Sequence, residues 1–339
     1  MENNLKKLNF VKPQKLINSV DKHQSFINKK TYSKIIKYIT DLQLSVYNFY
    51  KLNDEKPKNN NNNNNYGTNC IKKLLNKAKE LINKNQPKDL QKQRFGNVMF
   101  RTWYDELEKY YDEEFSKDFN EEFNNKYMKD NNVTNSNNIK STNSLDISDE
   151  LKPYFFECFG NSKRIDYGTG HELNFILILL ILTDLKFFEE NNKELLRHLV
   201  QDIFYDYISI CKKLQTVYNL EPAGSKGVYG LDDYFFIWFI FGSAELVDNN
   251  SGLNPKDIKN NIEELNKLSK TYAFFDAVYY KLKSSEGSLE QHSPVLFQIS
   301  NVPLWSKITN GLIKMWEDEL LKKFVVCQHI YFGSVLMLE

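Results

Sequence analysis

Long stretches of this chain repeat apolar residues at intervals of three and four, and few residues interrupt them. Only 13 glycines and 8 prolines occur in 339 residues, so a single periodicity persists over many turns. Alternation of apolar and polar residues, which is typical of half-buried strands, is scarce. The pattern predicts a nearly all-α fold. The four clearest helical stripes are Ile35, Ile39, Leu42, Val46 and Phe49; Ile71, Leu74, Leu75, Ala78 and Leu81; Leu195, Leu199, Ile203, Ile210 and Leu214; and Trp305, Ile308, Leu312, Met315 and Leu320.

The charge of the chain is almost balanced overall but unevenly distributed. Residues 1–100 contain 20 Lys and Arg against 7 Asp and Glu, whereas residues 105–130 contain 10 acidic residues and 4 lysines. A basic region can indicate nucleic-acid binding, but no nucleic-acid motif accompanies these lysines. They alternate with Asn, Ile and Leu as on solvated helix faces, so we expect no nucleic-acid partner.

The longest apolar runs, Phe175–Leu182 and Tyr234–Phe241, are far shorter than the roughly 20 residues of a membrane span. The sequence MENNLKKLNF at the start has no apolar core of a secretion signal. The four cysteines are widely spaced without a CxxC pair, which favours reduced, structural thiols. We therefore expect no membrane association and a cytoplasmic location, with the nucleus as a second compartment.

Two polar segments interrupt the helical pattern. Residues 53–69 contain seven consecutive asparagines, and residues 130–144 are nearly without apolar side chains. Neither segment can bury enough surface to offset the entropy of ordering, so both are predicted to be disordered inserts between helices.

The segment RIDYGTGHE, residues 164–172, places Gly168 and Gly170 directly before a strongly apolar helix. Free amides and the positive end of a helix dipole would suit an anion there, and Thr169 and Arg164 could add phosphate donors. Neither the Walker A nor the dinucleotide signature is present. The residues alone therefore favour a tight turn that precedes a buried helix.

The segment LEPAGSKGVYGLDDY, residues 220–234, combines three glycines with Asp232 and Asp233. Carboxylates beside exposed carbonyls suit a hard cation such as Mg²⁺. Alternatively, one of these aspartates caps the aromatic helix YFFIWFIFG that follows.

The segment KFVVCQHIYFG, residues 323–333, carries His329 among apolar residues. A lone histidine in such a setting is more often a core residue than a catalyst, and the same applies to His171. No zinc-binding spacing and no GxSxG nucleophile motif occurs, so a zinc hydrolase or serine hydrolase is not expected.

Several long motifs occur in one order along the chain and resemble the phosphotyrosyl phosphatase activator family, whose members activate serine/threonine protein phosphatase 2A (PP2A). The resemblance runs from about residue 24 to the end, apart from the two inserts and the acidic stretch. We therefore expect a tail over residues 1–23 and a family domain over 24–339. The motifs are RFGNVMFRTWYDEL (94–107), FGNSKRIDYGTGHE (159–172), LEPAGSKGVYGLDDY (220–234), GSAEL (242–246), HSPVLFQIS (292–300), VPLWSKITNGLIKMW (302–316) and KFVVCQHIYFGS (323–334).

The resemblance implies a single large helical domain with core, linker and lid parts around a nucleotide cleft. It also implies an ATP- and Mg²⁺-dependent activator and folding chaperone of PP2A, which contacts the catalytic and scaffold subunits. The family is further classed as a peptidyl-prolyl cis–trans isomerase.

The resemblance assigns site residues by position in this chain. The nucleotide contacts fall on Arg164, Thr169, Gly170, Val325, Val326 and His329, the Mg²⁺ contacts on Gly227 and Asp233, and the phosphatase contacts on Val302, Gly311 and Met315. No catalytic residue is assigned. The family usually has KFPV where this chain has KFVV, so Val325 replaces a proline and its fixed φ angle.

Two functional hypotheses of different classes remain open at this point. The chain is either an activator and chaperone of PP2A, or an enzyme that rotates X–Pro bonds in PP2A or in other substrates. Rotation about a prolyl bond needs no nucleophile, so the absence of a catalytic motif does not decide between an isomerase and a purely binding regulator. An independent ATPase is less favoured, because no base or arginine-finger arrangement is evident.

Overall fold

The computed structural model describes residues 9–49, 67–87, 96–130, 145–188, 192–224, 230–283 and 287–339. These residues form a single helical domain with one two-stranded sheet, which confirms the predicted all-α class. The helices in chain order are α1 (Val20–Ile27), α2 (Lys30–Ser45), α3 (Asn69–Lys84), α4 (Met99–Tyr110), α5 (Ser116–Asp130), α6 (Ile147–Glu157), α7 (Thr169–Asp184), α8 (Lys193–His198), α9 (Tyr205–Tyr218), α10 (Ile237–Glu245), α11 (Ile262–Ser269), α12 (Ala273–Lys283), α13 (Leu289–His292), α14 (Pro294–Ile299), α15 (Trp305–Trp316) and α16 (Phe324–Cys327).

Two helices occupy the centre of the core. Every residue of α7 from His171 to Leu182 is buried, and so is every residue of α10. A helix that is apolar on all sides must be surrounded by other elements, and α2, α6 and α12 pack against this pair. The two longest apolar runs of the sequence are therefore core segments, and no helix of the described ranges is long and apolar enough to cross a membrane.

Three of the four predicted stripes lie on helical segments throughout, whereas the first ends early: α2 stops at Ser45, Val46 is its C-cap, and Phe49 is exposed beyond the helix. Two of the other stripes cross a local widening of the helix. A π-helical turn, Leu199–Phe204, joins α8 to α9, and another, Glu317–Leu321, follows α15. A third, Tyr111–Phe115, joins α4 to α5. A π turn contains one extra residue, which rotates the residues after it around the helix axis. The apolar residues beyond each turn still face the core, as buried Leu214 and Leu320 show.

The sheet consists of two short parallel strands, β1 (Asp166–Tyr167) and β2 (Glu221–Pro222). The pairing places Asp166 opposite Glu221 and Tyr167 opposite Pro222. The flanking bond from the Ala223 N–H to the Tyr167 carbonyl is 2.8 Å long. These strands bring the two glycine-containing loops of the sequence side by side.

The packed part of the chain begins before the predicted boundary at residue 24. That boundary falls inside α1, Ile17 is fully buried, and Gln14 exchanges backbone hydrogen bonds with Phe332 near the other end of the chain. The segment from Phe10 onward is thus part of the folded domain, and Phe10 forms a backbone bridge to Leu145.

Most of the two Asn-rich inserts (53–69 and 130–144) lies outside the described residues. At the end of the first insert, Thr68 is buried and Asn69 begins α3, so regular structure resumes at residue 69, inside the predicted insert. All four cysteines are buried free thiols, as their spacing predicted. Burial raises the pKa of the Cys327 thiol to about 12, which agrees with structural and unreactive thiols.

Candidate functional site

The first glycine-containing loop ends at the amino terminus of α7, as the sequence predicted, but its two glycines do not form the sharp bend. Gly168 has extended backbone with φ −175°, and a Cβ atom there would lie 3.2 Å from the Cβ of Ala223. Gly170 lies in the first helical turn, facing Val326. The bend is made earlier, by Gly160 with φ +107°, where a Cβ atom would lie 2.5 Å from the Asp166 carbonyl oxygen.

A cavity of about 390 Å³ opens where this loop meets the second loop and the carboxyl-terminal helix α16. All six residues that the family resemblance assigns to a nucleotide line this one cavity: Arg164, Thr169, Gly170, Val325, Val326 and His329. The remaining lining residues are Lys15, Glu157, Asn161, Asp166, His171, Asn174, Ala223 and Gly224. The fold thus brings together residues from Lys15 to His329, which lie near opposite ends of the given sequence.

Arg164 forms a two-pronged ion pair with Asp166, with Nε–Oδ2 and Nη2–Oδ1 distances of 2.5 and 3.2 Å. The Nε2 atom of His171 lies 3.8 Å from the same carboxylate. Burial would raise the pKa of Asp166, but the nearby His171 imidazole and the hydrogen-bonded Arg164 guanidinium outweigh burial and hold the pKa below its ordinary value. Asp166 therefore remains ionised and orients the guanidinium at the edge of the cavity.

A second ion pair borders the cavity on the side of the amino-terminal segment. The Nζ atom of Lys15 lies 3.1 Å from Oε1 of Glu157 and 4.6 Å from the centre of the Tyr331 ring. His329 is exposed by its surface area, but its imidazole faces the partly enclosed cavity. Desolvation there, together with the charge of Lys15, lowers the pKa of the imidazole. At neutral pH, His329 is therefore a neutral hydrogen-bonding group.

These lining residues fit a phosphate group. Thr169 and Gly170 are the first two residues of the 16-residue helix α7. Their backbone N–H groups therefore have no carbonyl acceptor within the helix and are available to an anion. Arg164 has five N–H donors and uses two on Asp166, so it can donate to a phosphate oxygen while remaining paired. Lys15 adds a second cation.

The proposed magnesium contacts are only partly covered by the structure. Gly227 lies outside the described residues, and Asp233 is half-buried but is not among the described residues that line the cavity. No group of three or more His, Cys, Asp or Glu residues within the described ranges could hold a metal ion. The described carboxylates alone therefore do not form a metal centre, and a Mg²⁺ ion here would depend on phosphate and water ligands.

Asp232, the neighbour of Asp233, has a capping role. Its Oδ1 atom accepts the backbone N–H groups of Tyr234 and Phe235, both at 2.8 Å, and its other oxygen lies 3.4 Å from Nζ of Lys281. The capped segment is a turn and not the predicted helix YFFIWFIFG, because α10 begins only at Ile237.

The amino terminus of α10 is capped instead by Glu172 from the first turn of α7. This fully buried carboxylate accepts the backbone N–H groups of Phe236, Ile237 and Trp238 at 2.8–3.0 Å. Burial raises the pKa of Glu172 to about 7, and the three amide bonds only partly oppose this shift. Glu172 thus fixes the second loop against the helix that carries the cavity.

The three residues assigned to a phosphatase surface lie on or before α15. Gly311 is exposed, and a Cβ atom there would meet nothing within 4 Å among the described residues. Val302 and Met315 are partly buried against the core. Gly311 therefore does not pack tightly against a neighbouring helix within the described part of the chain.

Sequence reasoning missed Lys15, Glu157 and Asn174 as lining residues. Lys15 lies in the predicted tail, residues 1–23, and Glu157 is the last residue of α6. Asn174 interrupts an otherwise apolar helix, and this was the one local signal that could have identified it.

Residues 13–338 match the family described as phosphotyrosyl phosphate activator (PTPA) protein. A probable serine/threonine-protein phosphatase 2A activator 2 from Dictyostelium discoideum is 37% identical over 329 residues, which cover 95% of this chain and 64% of the relative, slightly less than two thirds. Serine/threonine-protein phosphatase 2A activator 2 from Kluyveromyces lactis is 35% identical, with 95% of this chain and 82% of the relative covered. A crystal structure of the PP2A phosphatase activator Ypa1 matches with a TM-score of 0.75 at 26% identity, over 99% of this chain and 98% of that chain.

Proposed function

Since the chain belongs to the PTPA family, we propose that it is an activator of serine/threonine protein phosphatase 2A that uses ATP and Mg²⁺. The observation that carries the nucleotide part is the single cavity lined by all six residues that the family motifs assign to ATP. The two named relatives, both called phosphatase 2A activators, support the choice of partner.

In this proposal the triphosphate lies at the amino terminus of α7. The amides of Thr169 and Gly170 and the guanidinium of Arg164 bind its oxygens, with Lys15 adding positive charge. Val325 and Val326 supply an apolar wall for the nucleoside. Mg²⁺, when bound, neutralises phosphate charge and orients the phosphate oxygens, and Asp233 and the Gly227 carbonyl are the proposed protein ligands.

The partner surface is proposed to include α15. Gly311 offers open space on an exposed helix, which suits close approach of a second protein backbone, and Met315 is an adaptable apolar contact four residues further on. We place the catalytic and scaffold subunits of PP2A at this face, where the bound chain helps the phosphatase to acquire its active form.

The isomerase activity is a separate part of the proposal, since no residue is assigned to bond rotation. The alternative is a purely binding regulator, or an isomerase that acts on other substrates. Measuring isomerisation of a proline-containing peptide without phosphatase separates these functions: a rate increase supports the enzyme, and an unchanged rate supports the binding regulator.

A pull-down with purified catalytic and scaffold subunits, with and without Mg-ATP, tests the proposed partnership. Retention of both subunits that increases with Mg-ATP is the expected result. Equal retention with and without Mg-ATP would remove the nucleotide from the interaction, and no retention in either condition would contradict the proposal.

A further inference from the structure

Asn174 on the second turn of α7 carries a buried polar atom without a hydrogen-bond partner. Its side chain lines the cavity, the residue is only 4% exposed, and its Oδ1 atom contacts no donor within the described part of the chain. The Nδ2 group donates to the Gly170 carbonyl at 3.0 Å, and this bond fixes which end of the amide is left unpaired. An unpaired buried acceptor is unfavourable, so a donor from a bound molecule would stabilise it.

The chemistry of this atom excludes a phosphate oxygen as its partner. Phosphate oxygens at neutral pH are acceptors like the Asn174 Oδ1 atom, and the two would repel each other. Gly170 lies one helical turn earlier on the same face of α7, and its amide lies at the helix terminus, where it can donate to an anion. The cavity therefore offers donors at one end and an acceptor about one turn, roughly 5 Å, away.

We infer that Asn174 is a binding residue that accepts a hydrogen bond from the nucleoside part of the ligand and so orients it with the phosphates toward Thr169 and Gly170. This inference rests on the proposed nucleotide function. The donor is an N–H or O–H group, which in ATP means the exocyclic amine of the base or a hydroxyl of the ribose.

Calorimetric titration with ATP, purine riboside triphosphate, 2′-deoxy-ATP and 3′-deoxy-ATP, each with Mg²⁺, tests the inference and identifies the donor. For the unchanged chain, one analogue should bind about 5- to 20-fold more weakly than ATP, because it leaves the buried acceptor unpaired. In Asn174→Ala, the same analogue and ATP should bind with affinities that differ less than twofold. In the control Asn266→Ala, an exposed position on α11, the full difference should remain.

Three results would overturn the inference, and they are distinguishable. If the unchanged chain binds ATP but binds all three analogues equally well, solvent satisfies the Asn174 acceptor and the inference fails alone. If the discrimination persists in Asn174→Ala, another residue recognises the donor. If the unchanged chain does not bind Mg-ATP at all, the nucleotide proposal fails and the inference fails with it.

Discussion

The Oε2 atom of Glu172 accepts the backbone N–H of Ile237 at 2.8 Å, which joins the first turn of α7 to the first turn of α10. The residues are 65 positions apart and both are buried. The same carboxylate bonds Phe236 and Trp238, so one side chain satisfies three amides that have no acceptor within their own helix. This cap holds the loop that contains Asp232 and Asp233 in a fixed position relative to the proposed phosphate site.

Replacing Glu172 by Gln should change how the stability of the protein depends on pH. The folded-state pKa of about 7 lies above the ordinary value of 4.5, so between these values the folded chain holds a proton that the unfolded chain has released. The contribution of Glu172 to stability therefore falls as the pH rises from about 4.5 to about 7, by about 3 kcal/mol. The free energy of unfolding, measured with denaturant, should fall less between pH 5 and pH 7.5 in Glu172→Gln than in the parent.

Glu263→Gln on α11 is the matched control, because that carboxylate is exposed. It should reproduce the pH dependence of the parent. A pH dependence in Glu172→Gln that equals that of the parent would show that Glu172 does not hold the proton.

Asp232 and Asp233 should have separable roles. Asp232→Ala removes the cap on Tyr234 and Phe235, so it should lower the free energy of unfolding by about 1–2 kcal/mol. Asp233→Asn should leave the melting temperature unchanged but raise the Mg²⁺ concentration required for half-maximal phosphatase activation. If Asp233→Asn loses stability and keeps the parental Mg²⁺ requirement, Asp233 is structural and not a metal ligand.

The all-α fold and the first turn of α7 could be predicted from the sequence because both depend on local patterns. The stripe from Ile71 to Leu81 lies entirely on α3, and α7 begins between the two glycines that indicated its start. The cap from Glu172 to α10 could not be predicted, since an acidic residue one turn into a helix looks the same whether it faces solvent or a distant amide.

The cavity was predictable only where a family motif covered it. Arg164 and His329 lie in such motifs, whereas Lys15 lies in a segment whose local pattern shows no contact with Glu157 or Tyr331. The neighbouring residues Gln14 and Phe332 exchange backbone hydrogen bonds, which place Lys15 beside Tyr331 although the two are more than 300 positions apart.

Arg164→Ala should weaken binding of Mg-ATP by about 1.5–3 kcal/mol, since a charged donor to phosphate is lost. Arg164→Lys should recover part of this loss, because charge is kept but the planar two-pronged geometry is not. Calorimetry measures both affinities, with Arg197→Ala on α8 as a control outside the cavity. An ATP affinity for Arg164→Ala equal to that of the parent would exclude Arg164 from the site.

Gly311 and Gly242 should respond oppositely to a methyl group. Gly311→Ala should stabilise α15 by about 0.8–1.0 kcal/mol, because the new Cβ atom meets open space and alanine favours the helix. Gly242→Ala should destabilise the protein, because its Cβ atom would lie 2.4 Å from the backbone nitrogen of Phe274. Thermal unfolding distinguishes the two, and a loss of stability in Gly311→Ala would contradict the exposed position of Gly311.

Gly311→Asp then tests the partner surface without disturbing the fold. It should keep the circular dichroism spectrum and the ATP affinity of the parent while it abolishes capture of the PP2A subunits, because bulk and charge enter a close contact. Asn266→Asp on the exposed face of α11 adds the same charge elsewhere and should still bind. Normal capture by Gly311→Asp would place the interface on another face.

The most direct test of the central claim is the phosphatase activity of inactive PP2A core enzyme, measured on a phosphoserine peptide after incubation with this chain. The account predicts that activity rises only when the chain, ATP and Mg²⁺ are all present, and that Arg164→Ala reduces the rise. An activity that stays at its starting level in the complete mixture, with a chain shown to be folded and to bind Mg-ATP, would contradict the claim that this protein activates PP2A.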